Sequence, residues 1–545
     1  MPTRRRFLAS SGRSLAILAG APALLLPSRR EYDLVIRGGR LFDGTGTRGR
    51  GGDVAITGAR IVALGRGVRG QGREEIDARD LAVAPGFIDI HSHADGTLFV
   101  DPRVESVIRQ GITTVVVGAD GGSRVPSLEG DASFAPLFAR VREAGSSVNV
   151  ASMVGLGRLR RVVIGESDRP ATPEELSRMT GMVRTALDTG ACGASSGLEY
   201  TPGAYASTAE LTALCRPLRE HGLPYATHMR DEEDRLVEAV DEAIAIAQGA
   251  GAVLQISHLK TNGRRNWPKI HTVLSRIERA KRDGLDVAFD RYPYEAASTG
   301  LLTRFPVWAR DGGAEVFLRR LADTAAAERI RRETLEDVEM IGGWGAIQIT
   351  DLDSPEDRDA VGRRLDAWAR DRGQEPYDAA VGLLTRAKTR VGTVVFGMSE
   401  ENLERFLRHR LCMACTDGGA FATEGPARQG TPHPRGLGSY PRILGRYVRE
   451  RGVITLADAI FKMTGYPASR LRLLDRGRLA EGFAADVVVF DPETVADRAT
   501  FENPMQYPAG IEVVVVNGQV VLRGGARLAD GAGQPLRPIR RRVPG

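Results

Sequence analysis

The amino-acid sequence predicts an α/β fold built around a parallel (β/α)8 barrel. Short apolar runs typical of buried strands alternate with helical stretches along most of the chain. Polar residues stand at the C-terminal ends of several runs, on the face where barrel enzymes place their sites. Glycine-bounded strands near both ends of the chain predict one small additional β domain.

Residues 1–30 have the pattern of a twin-arginine-type signal peptide. Arg4 and Arg5 precede an apolar run at residues 15–26, which is too short to span a bilayer comfortably. We therefore expect a periplasmic or secreted protein, without stable membrane insertion after signal removal. An uncleaved anchor or a basic N-terminal segment is the alternative.

The small β domain is predicted from residues 31–82 and 476–525. Both segments contain short strands rich in Val and Ile, and the second ends in Asn517-Gly518, a hairpin turn signal. The barrel is assigned to residues 83–475. Its eight candidate strands are residues 83–91, 113–118, 148–153, 193–196, 223–228, 253–258, 287–292 and 411–417.

An insertion at about residues 303–353 interrupts the alternation of strands and helices. Its charged helical run and Gly342-Gly343 fit no strand-helix repeat, so we interpret it as a lid over the barrel mouth. A surface excursion without substrate contact is the alternative. Residues 526–545, with a cluster of arginines at 537–542, are predicted to form a solvated basic tail.

Two histidines at the end of the first barrel strand indicate a metal site. His91 and His93 are two residues apart, so strand alternation directs both to one side. His228 and His258 follow later strands, and Asp120 is the candidate for a further or bridging ligand. These residue types are those that zinc and similar divalent ions prefer.

Asp417 is the candidate catalytic residue at the same end of the barrel. A carboxylate beside metal-bound water can accept a proton and later deliver it to a leaving amine. Alone, Asp417-Gly418 would be interpreted as a turn. Candidate substrate-binding residues, which are cations or hydroxyls suited to holding an anion, are Lys260, Tyr292, Ser298 and Arg435.

Charge and cysteine content exclude several classes of protein. The net charge of +6 is small for 545 residues, so we do not expect nucleic-acid binding. Four cysteines provide no disulfide framework. Cys412 and Cys415 lie in an apolar run, which favours strand packing over a redox or zinc role.

With these residues assembled, the chain resembles the N-acyl-D-amino-acid deacylases of the amidohydrolase superfamily. The likeness extends from about residue 32 to 521. Its motifs are PGFIDIHSHAD (85–95), GLEYTPG (197–203), THMR (227–230), SHLK (257–260), DRYPY (290–294), TDG (416–418) and HPR (433–435).

This resemblance implies a (β/α)8 metallo-hydrolase barrel with an inserted lid, and zinc-dependent release of a carboxylate and a free D-amino acid. It implies that His228 and His258 form the tight metal site and His91 and His93 the second. Asp417 corresponds to the catalytic carboxylate. The residues that correspond to those that bind the substrate carboxylate in the family are Lys260, Tyr292, Ser298 and Arg435.

One departure from the family concerns the metal. Asp120 stands where the family usually carries a metal-ligating cysteine. A carboxylate is a harder ligand than a thiolate, so one or two divalent ions, with manganese or cobalt as well as zinc, are compatible with the site. The segment after the third strand, which begins Gly155-Leu156-Gly157-Arg158, lacks a histidine that the family often has there.

The sequence thus predicts a metal-dependent hydrolase of small-molecule N-acyl amino acids, whose D configuration is implied by the resemblance alone. In this prediction, metal-bound hydroxide attacks and Asp417 serves as general base and acid. Alternatives are a dipeptidase or cyclic-amide hydrolase of the same superfamily, and a non-catalytic binding scaffold. Arg304, early in the insertion, is a candidate for selecting acidic side chains.

Overall fold

The structure is a computed structural model that describes residues 31–539, so the predicted signal peptide lies outside the described residues. Within this range the strands are β1 Glu31–Leu41, β2 Arg50–Thr57, β3 Arg60–Gly65, β4 Gln71–Asp77, β5 Ala82–Pro85, β6 Phe87–Asp89, β7 Ile112–Val117, β8 Asn149–Ser152, β9 Val154–Gly155, β10 Ala194–Gly197, β11 Pro224–His228, β12 Val253–Ile256, β13 Val287–Arg291, β14 Ala296–Gly300, β15 Ile347–Leu352, β16 Val391–Phe396, β17 Cys412–Ala414, β18 Val487–Phe490, β19 Ile511–Val516, β20 Gln519–Arg523 and β21 Ala526–Arg527.

The α-helices of the same range are α1 Glu105–Ile108, α2 Ala135–Ala144, α3 Leu156–Val163, α4 Pro173–Thr189, α5 Thr208–Cys215, α6 Leu218–His221, α7 Leu236–Ala250, α8 Ile270–Arg282, α9 Ala314–Ala322, α10 Thr324–Ile341, α11 Leu365–Asp371, α12 Pro376–Arg386, α13 Glu400–Arg408, α14 Arg435–Arg442, α15 Leu456–Met463 and α16 Gly465–Arg470. Local sequence explains their ends. Before α4, for example, Thr172 and Glu175 form a reciprocal capping box, and Gly190 follows the last turn.

One sheet combines both ends of the chain, as predicted. Its order is β21-β20-β19-β18-β5-β1-β2-β3, with β4 added to β1. The two halves meet where β18 pairs antiparallel with β5, so that Val488 lies opposite Ala84. Strands from both segments bury a common set of valines, isoleucines and leucines. The small β domain is therefore a single packed unit.

Eight successive strand positions of the barrel run parallel in chain order. They are β6, β7, the consecutive pieces β8 and β9, then β10, β11, β12, β13 and β17. Loop hydrogen bonds join the first and last positions, because Asp417 N donates to His91 O and His93 N donates to Gly418 O, both at 2.9 Å. These strands form two parallel sheets, β6-β7-β8 and β9 to β17, whose order is compatible with the predicted barrel.

The predicted first barrel strand, residues 83–91, is divided in the structure. Residues 82–85 belong to the terminal sheet as β5, and the barrel begins with β6 after Gly86. A Cβ atom at Gly86 would lie only 2.2 Å from Thr113 Oγ1, so this crossing of two sheets requires glycine. The boundary of the small domain therefore lies at residue 85 instead of 82.

The insertion is longer than predicted. Strands β14, β16 and β15 form a separate antiparallel sheet, and helices α9–α12 pack on it around their own apolar core, which includes the fully buried Trp368. The inserted unit thus extends from residue 296 to 396. The sequence did not reveal the first edge because β14, Ala-Ala-Ser-Thr-Gly, lacks the apolar pattern of a strand.

In contrast to a fully solvated tail, residues 526–539 are buried at Ala532 and Leu536 and exposed at Leu528 and Ile539. Leu536 is buried and its N–H donates to Val150 O at 2.8 Å, while Arg537 stacks over Phe138. Apolar residues among the arginines explain the difference. No helix within residues 31–539 combines the length and apolar composition needed to cross a bilayer.

Candidate metal centre and active site

His91 and His93 converge with Asp120 at the C-terminal end of the barrel strands. The Nε2 atoms of both histidines lie 3.3 Å from Asp120 Oδ2. β6 and its following turn position the histidines, and β7 ends three residues before Asp120. The two imidazoles therefore meet at one point, but both follow β6 in a turn, so strand alternation does not account for their positions.

His228 and His258 lie on the other side of the same carboxylate. His258 Nε2 is 3.5 Å from Asp120 Oδ2 and 3.0 Å from His228 Nδ1. His228 ends β11, and His258 follows β12, the next strand of the sheet. Asp120 Oδ2 thus lies within 3.5 Å of His91, His93 and His258, a position compatible with a bridging carboxylate.

The donor set fits one or two divalent ions. Four residues, His91, His93, Asp120 and Asp417, present ligand atoms within 4.8 Å of one another, and Asp120, His228 and His258 form a second such group. His91 Nε2 and Asp120 Oδ1 are buried without a hydrogen-bond partner. Buried polar atoms are rarely left unpaired, and nitrogen and oxygen donors at this spacing suit zinc and its neighbours.

The electrostatics of the site also favour a cation. Burial lowers the pKa of His93, but Asp120 and Asp417 outweigh it and raise that pKa to about 9. Burial likewise opposes ionisation of Asp120, yet His91 and His258 hold its pKa well below the usual value. Opposite charges thus dominate desolvation throughout, and the carboxylates stabilise positive charge between them.

Three site residues adopt left-handed backbone conformations that non-glycine residues rarely show. The φ angles are +50° for Asp120, +34° for His258 and +49° for Asp417. Such conformations persist only where surrounding contacts determine them. For His258, the backbone N–H donates to Asp290 Oδ1 at 2.7 Å. These three residues lie at the metal centre, where their side chains must be aimed, while six other described non-glycine residues with positive φ lie elsewhere.

Asp417 lies between the histidines and a cation. Its Oδ1 is 3.1 Å from His93 Nε2, and its Oδ2 is 2.7 Å from Arg435 Nη1. Although burial raises the pKa of Asp417, Arg435 and the histidines lower it far below the usual range. This carboxylate is therefore ionised at neutral pH and is placed to accept a proton.

The four candidate substrate-binding residues line one cavity of about 540 Å³ with the metal centre. Tyr292 is fully buried and its hydroxyl has no hydrogen-bond partner, while Arg435 stacks on its ring at 4.8 Å. Ser298 lies on β14, so the insertion contributes to the wall. Lys260 is already engaged, because its Nζ lies 2.6 Å from both carboxylate oxygens of Glu232.

Two glutamates of the site were not predicted from the sequence. Glu232 Oε1 lies 3.1 Å from His258 Nδ1, and Glu199 Oε2 lies 2.9 Å from His228 Nε2. Glu199 belongs to the GLEYTPG motif, which could have indicated it. Glu232 stands within the acidic run Asp231-Glu232-Glu233-Asp234, which resembles a solvated surface and carries no comparable signal.

Arg304, from the insertion, closes the wall beside Glu199. Its guanidinium lies 2.9 Å from Glu199, 3.1 Å from Asp337 and 3.6 Å from Glu233. The side chain is only 4% exposed. Three carboxylates therefore already surround this cation before any ligand binds.

Comparison with known proteins places these features in one family. The amidohydrolase family model matches residues 74–522. A D-aminoacylase from Alcaligenes xylosoxydans xylosoxydans is 36% identical over 523 residues, which cover 93% of this chain and 98% of that protein.

Two solved structures are similar over the same range. One is N-acyl-D-glutamate deacylase from Bordetella bronchiseptica, complexed with zinc and a phosphonate that mimics the tetrahedral intermediate, with 35% identity and a TM-score of 0.79. The other is a D-aminoacylase with a binuclear metal centre, with 35% identity and a TM-score of 0.77. Each alignment covers 93% of this chain and 100% of the other.

Proposed function

Since the chain belongs to the amidohydrolase family, we propose that it hydrolyses the amide bond of N-acyl-D-amino acids, releasing a carboxylate and a free D-amino acid. The observation that carries this proposal is the approach of three histidine Nε2 atoms to Asp120 Oδ2, beside the ionised Asp417. The D configuration is supported by the relatives alone, because residue spacing does not distinguish the two configurations.

The metal ligands proposed are His228, His258 and Asp120 for one ion, and His91, His93 and Asp120 for a second. We propose zinc, with manganese or cobalt also accepted because Asp120 is a carboxylate. A bound divalent ion supplies Lewis-acid polarisation of the acyl carbonyl and lowers the pKa of a water molecule.

Asp417 moves the proton in this reaction. It accepts a proton as water adds to the acyl carbon, and it delivers that proton to the nitrogen as the carbon–nitrogen bond breaks. The oxygen that faces His93 is assigned to this transfer, because the other oxygen is held by Arg435. The remaining proton of the former water passes from the new carboxylic acid to the amine, so the products are a carboxylate and an ammonium group, and atoms and charge balance.

Tyr292 and Arg435 are proposed to hold the free carboxylate of the amino acid. The unpaired hydroxyl of Tyr292 can donate one hydrogen bond, and Arg435 can donate others from the same side. Ser298 adds a hydroxyl on the cavity wall. Lys260 contributes positive charge behind them while it remains paired with Glu232.

The test combines metal analysis with hydrolysis of matched N-acetyl-D- and N-acetyl-L-amino acids, before and after chelation. We expect stoichiometric metal and chelator-sensitive release of the D-amino acid. Bound metal without release of either enantiomer would contradict the proposed substrate and direct the search to dipeptides and cyclic amides. Absence of metal would favour a binding scaffold.

We further propose export through a twin-arginine signal in residues 1–30. The support is the Arg4-Arg5 pair followed by a short apolar run. Fractionation of cells that express the full chain should place the protein outside the cytoplasm. Replacing both arginines by lysine should retain it inside, and an unchanged distribution would contradict this route.

A further inference from the structure

Three arginines line the cavity on the side of the second and third barrel strands. Arg124 follows β7, and Arg158 and Arg161 belong to α3, directly after β9. Along the sheet, the third strand position is separated from β13, which precedes Tyr292, by β10, β11 and β12. Arg158 and Tyr292 therefore stand on opposite sides of the barrel mouth, with the metal centre between them.

These arginines differ in how their charge is balanced. Arg161 is paired with Glu166 at 2.5 Å and donates to Thr201 O at 3.0 Å. Arg158 donates only from Nε, to Pro126 O at 3.1 Å, and Arg124 donates to the main-chain oxygen of Asp95. Among residues 31–539, neither Arg124 nor Arg158 forms an ion pair within 4.0 Å, and Asp95 and Glu129 attract them only from a longer distance.

The opposite wall has the reverse balance. Lys260 is paired with Glu232, Arg435 with Asp417, and Arg304 with Glu199 and further carboxylates. The cavity thus carries paired cations on the side proposed for the amino acid and unpaired guanidinium groups on the other. An extended anionic substrate can neutralise the second set while its reacting carbonyl stays at the metal centre.

We propose that Arg158, assisted by Arg124, binds a second carboxylate at the far end of the acyl group. The preferred substrates are then N-acyl amino acids whose acyl part is a dicarboxylic acid, such as succinyl. This inference rests on the proposed function, because it places the amino-acid carboxylate at Tyr292 and Arg435 and so leaves the acyl group on the side of Arg158.

The experiment compares three substrates with the full-length, metal-loaded enzyme. They are N-succinyl-D-leucine, its neutral analogue with a terminal carboxamide, and N-acetyl-D-glutamate, whose second carboxylate is on the side chain. We expect kcat/KM to be about tenfold higher for the succinyl substrate than for the neutral analogue. Arg158→Gln should remove this advantage and change turnover of the neutral analogue by less than about twofold.

Arg161→Gln is the matched control, because it removes an arginine of the same helix that is already paired with Glu166. It should leave the preference for the succinyl substrate unchanged. Thermal unfolding and metal content of each variant establish that the fold is retained. If Arg158→Gln does not fold, Arg158→Lys takes its place. Lysine keeps the charge but not the planar set of donors, so it should reduce the preference for the succinyl substrate.

If Arg158→Gln lowers kcat/KM equally for the succinyl substrate and its neutral analogue, the inference is overturned. If Arg158→Gln lowers kcat/KM only for N-acetyl-D-glutamate, the inference is also overturned, because Arg158 would then bind the side-chain carboxylate. If the wild-type enzyme hydrolyses N-succinyl-D-leucine and its carboxamide analogue with equal kcat/KM, only this inference fails. If it hydrolyses no N-acyl amino acid, the proposed function fails as well.

Discussion

Arg435 Nη1 lies 2.7 Å from Asp417 Oδ2, and both side chains are almost completely buried. The pair orients Asp417 toward His93 and places a guanidinium beside the proposed carboxylate site. Breaking a buried pair by removing one partner leaves an uncompensated charge, which is strongly destabilising. Each residue can therefore be tested only with variants that preserve its shape or its charge.

Asp417→Asn should retain metal and fold but lose turnover. The amide keeps the shape and one contact with Arg435 but cannot accept a proton, so we expect kcat to fall about 10²- to 10⁴-fold. Metal content and circular dichroism should match the wild type. Activity within about tenfold of wild type would remove Asp417 from the proton transfer.

Arg435→Lys should weaken recognition of a free carboxylate. Lysine keeps the charge opposite Asp417 but cannot donate the planar pair of hydrogen bonds, so we expect KM for N-acetyl-D-leucine to rise about tenfold. The matched control is N-acetyl-D-leucinamide, which has no carboxylate. An equal change for both compounds would show that Arg435 acts only through Asp417.

Asp120→Cys should shift metal preference toward zinc. A thiolate is softer than a carboxylate and binds zinc more strongly relative to manganese. Elemental analysis after loading with equal concentrations of the two ions measures the ratio. Ser123→Cys, which places a thiol on the same cavity wall, is the control and should leave the ratio unchanged. No shift in Asp120→Cys would mean that this position does not bind the ion.

Glu232→Gln should loosen metal binding without direct loss of a proposed ligand. Glu232 contacts His258 Nδ1 and Lys260, and such partners fix the orientation of a ligating imidazole. We expect the metal dissociation constant to rise about 10- to 100-fold, measured by competition with a chelator. Glu233→Gln, a neighbour that does not contact His258, should have a smaller effect; equal effects would contradict the role.

Residues that follow strand ends could be predicted from the sequence because their positions depend mainly on the order of strands along the chain. His91, His93, Asp120, His228, His258 and Asp417 follow successive apolar runs, and the parallel sheet brings those ends together. The pairing of Glu232 with His258 depends instead on how two loops pack, which periodicity does not encode. The division of residues 82–91 between two sheets likewise depends on tertiary contacts.

The surroundings of Arg304 change the expectation drawn from its position in the sequence. A lone arginine near the site would favour acidic side chains, but Glu199, Asp337 and Glu233 already lie within 3.6 Å of its guanidinium. A substrate carboxylate there would add a fourth negative charge to one cation. Its attraction to Arg304 is therefore offset by repulsion from the three carboxylates.

We accordingly expect little selection for acidic side chains by Arg304. The ratio of kcat/KM for N-acetyl-D-glutamate to that for N-acetyl-D-glutamine, its neutral counterpart, should stay below about tenfold. Arg304→Lys, which keeps the charge among the three carboxylates, should leave this ratio nearly unchanged. A preference of about a hundredfold that Arg304→Lys abolishes would contradict the expectation, because the substrate would then have to displace one of the protein's own carboxylates from Arg304.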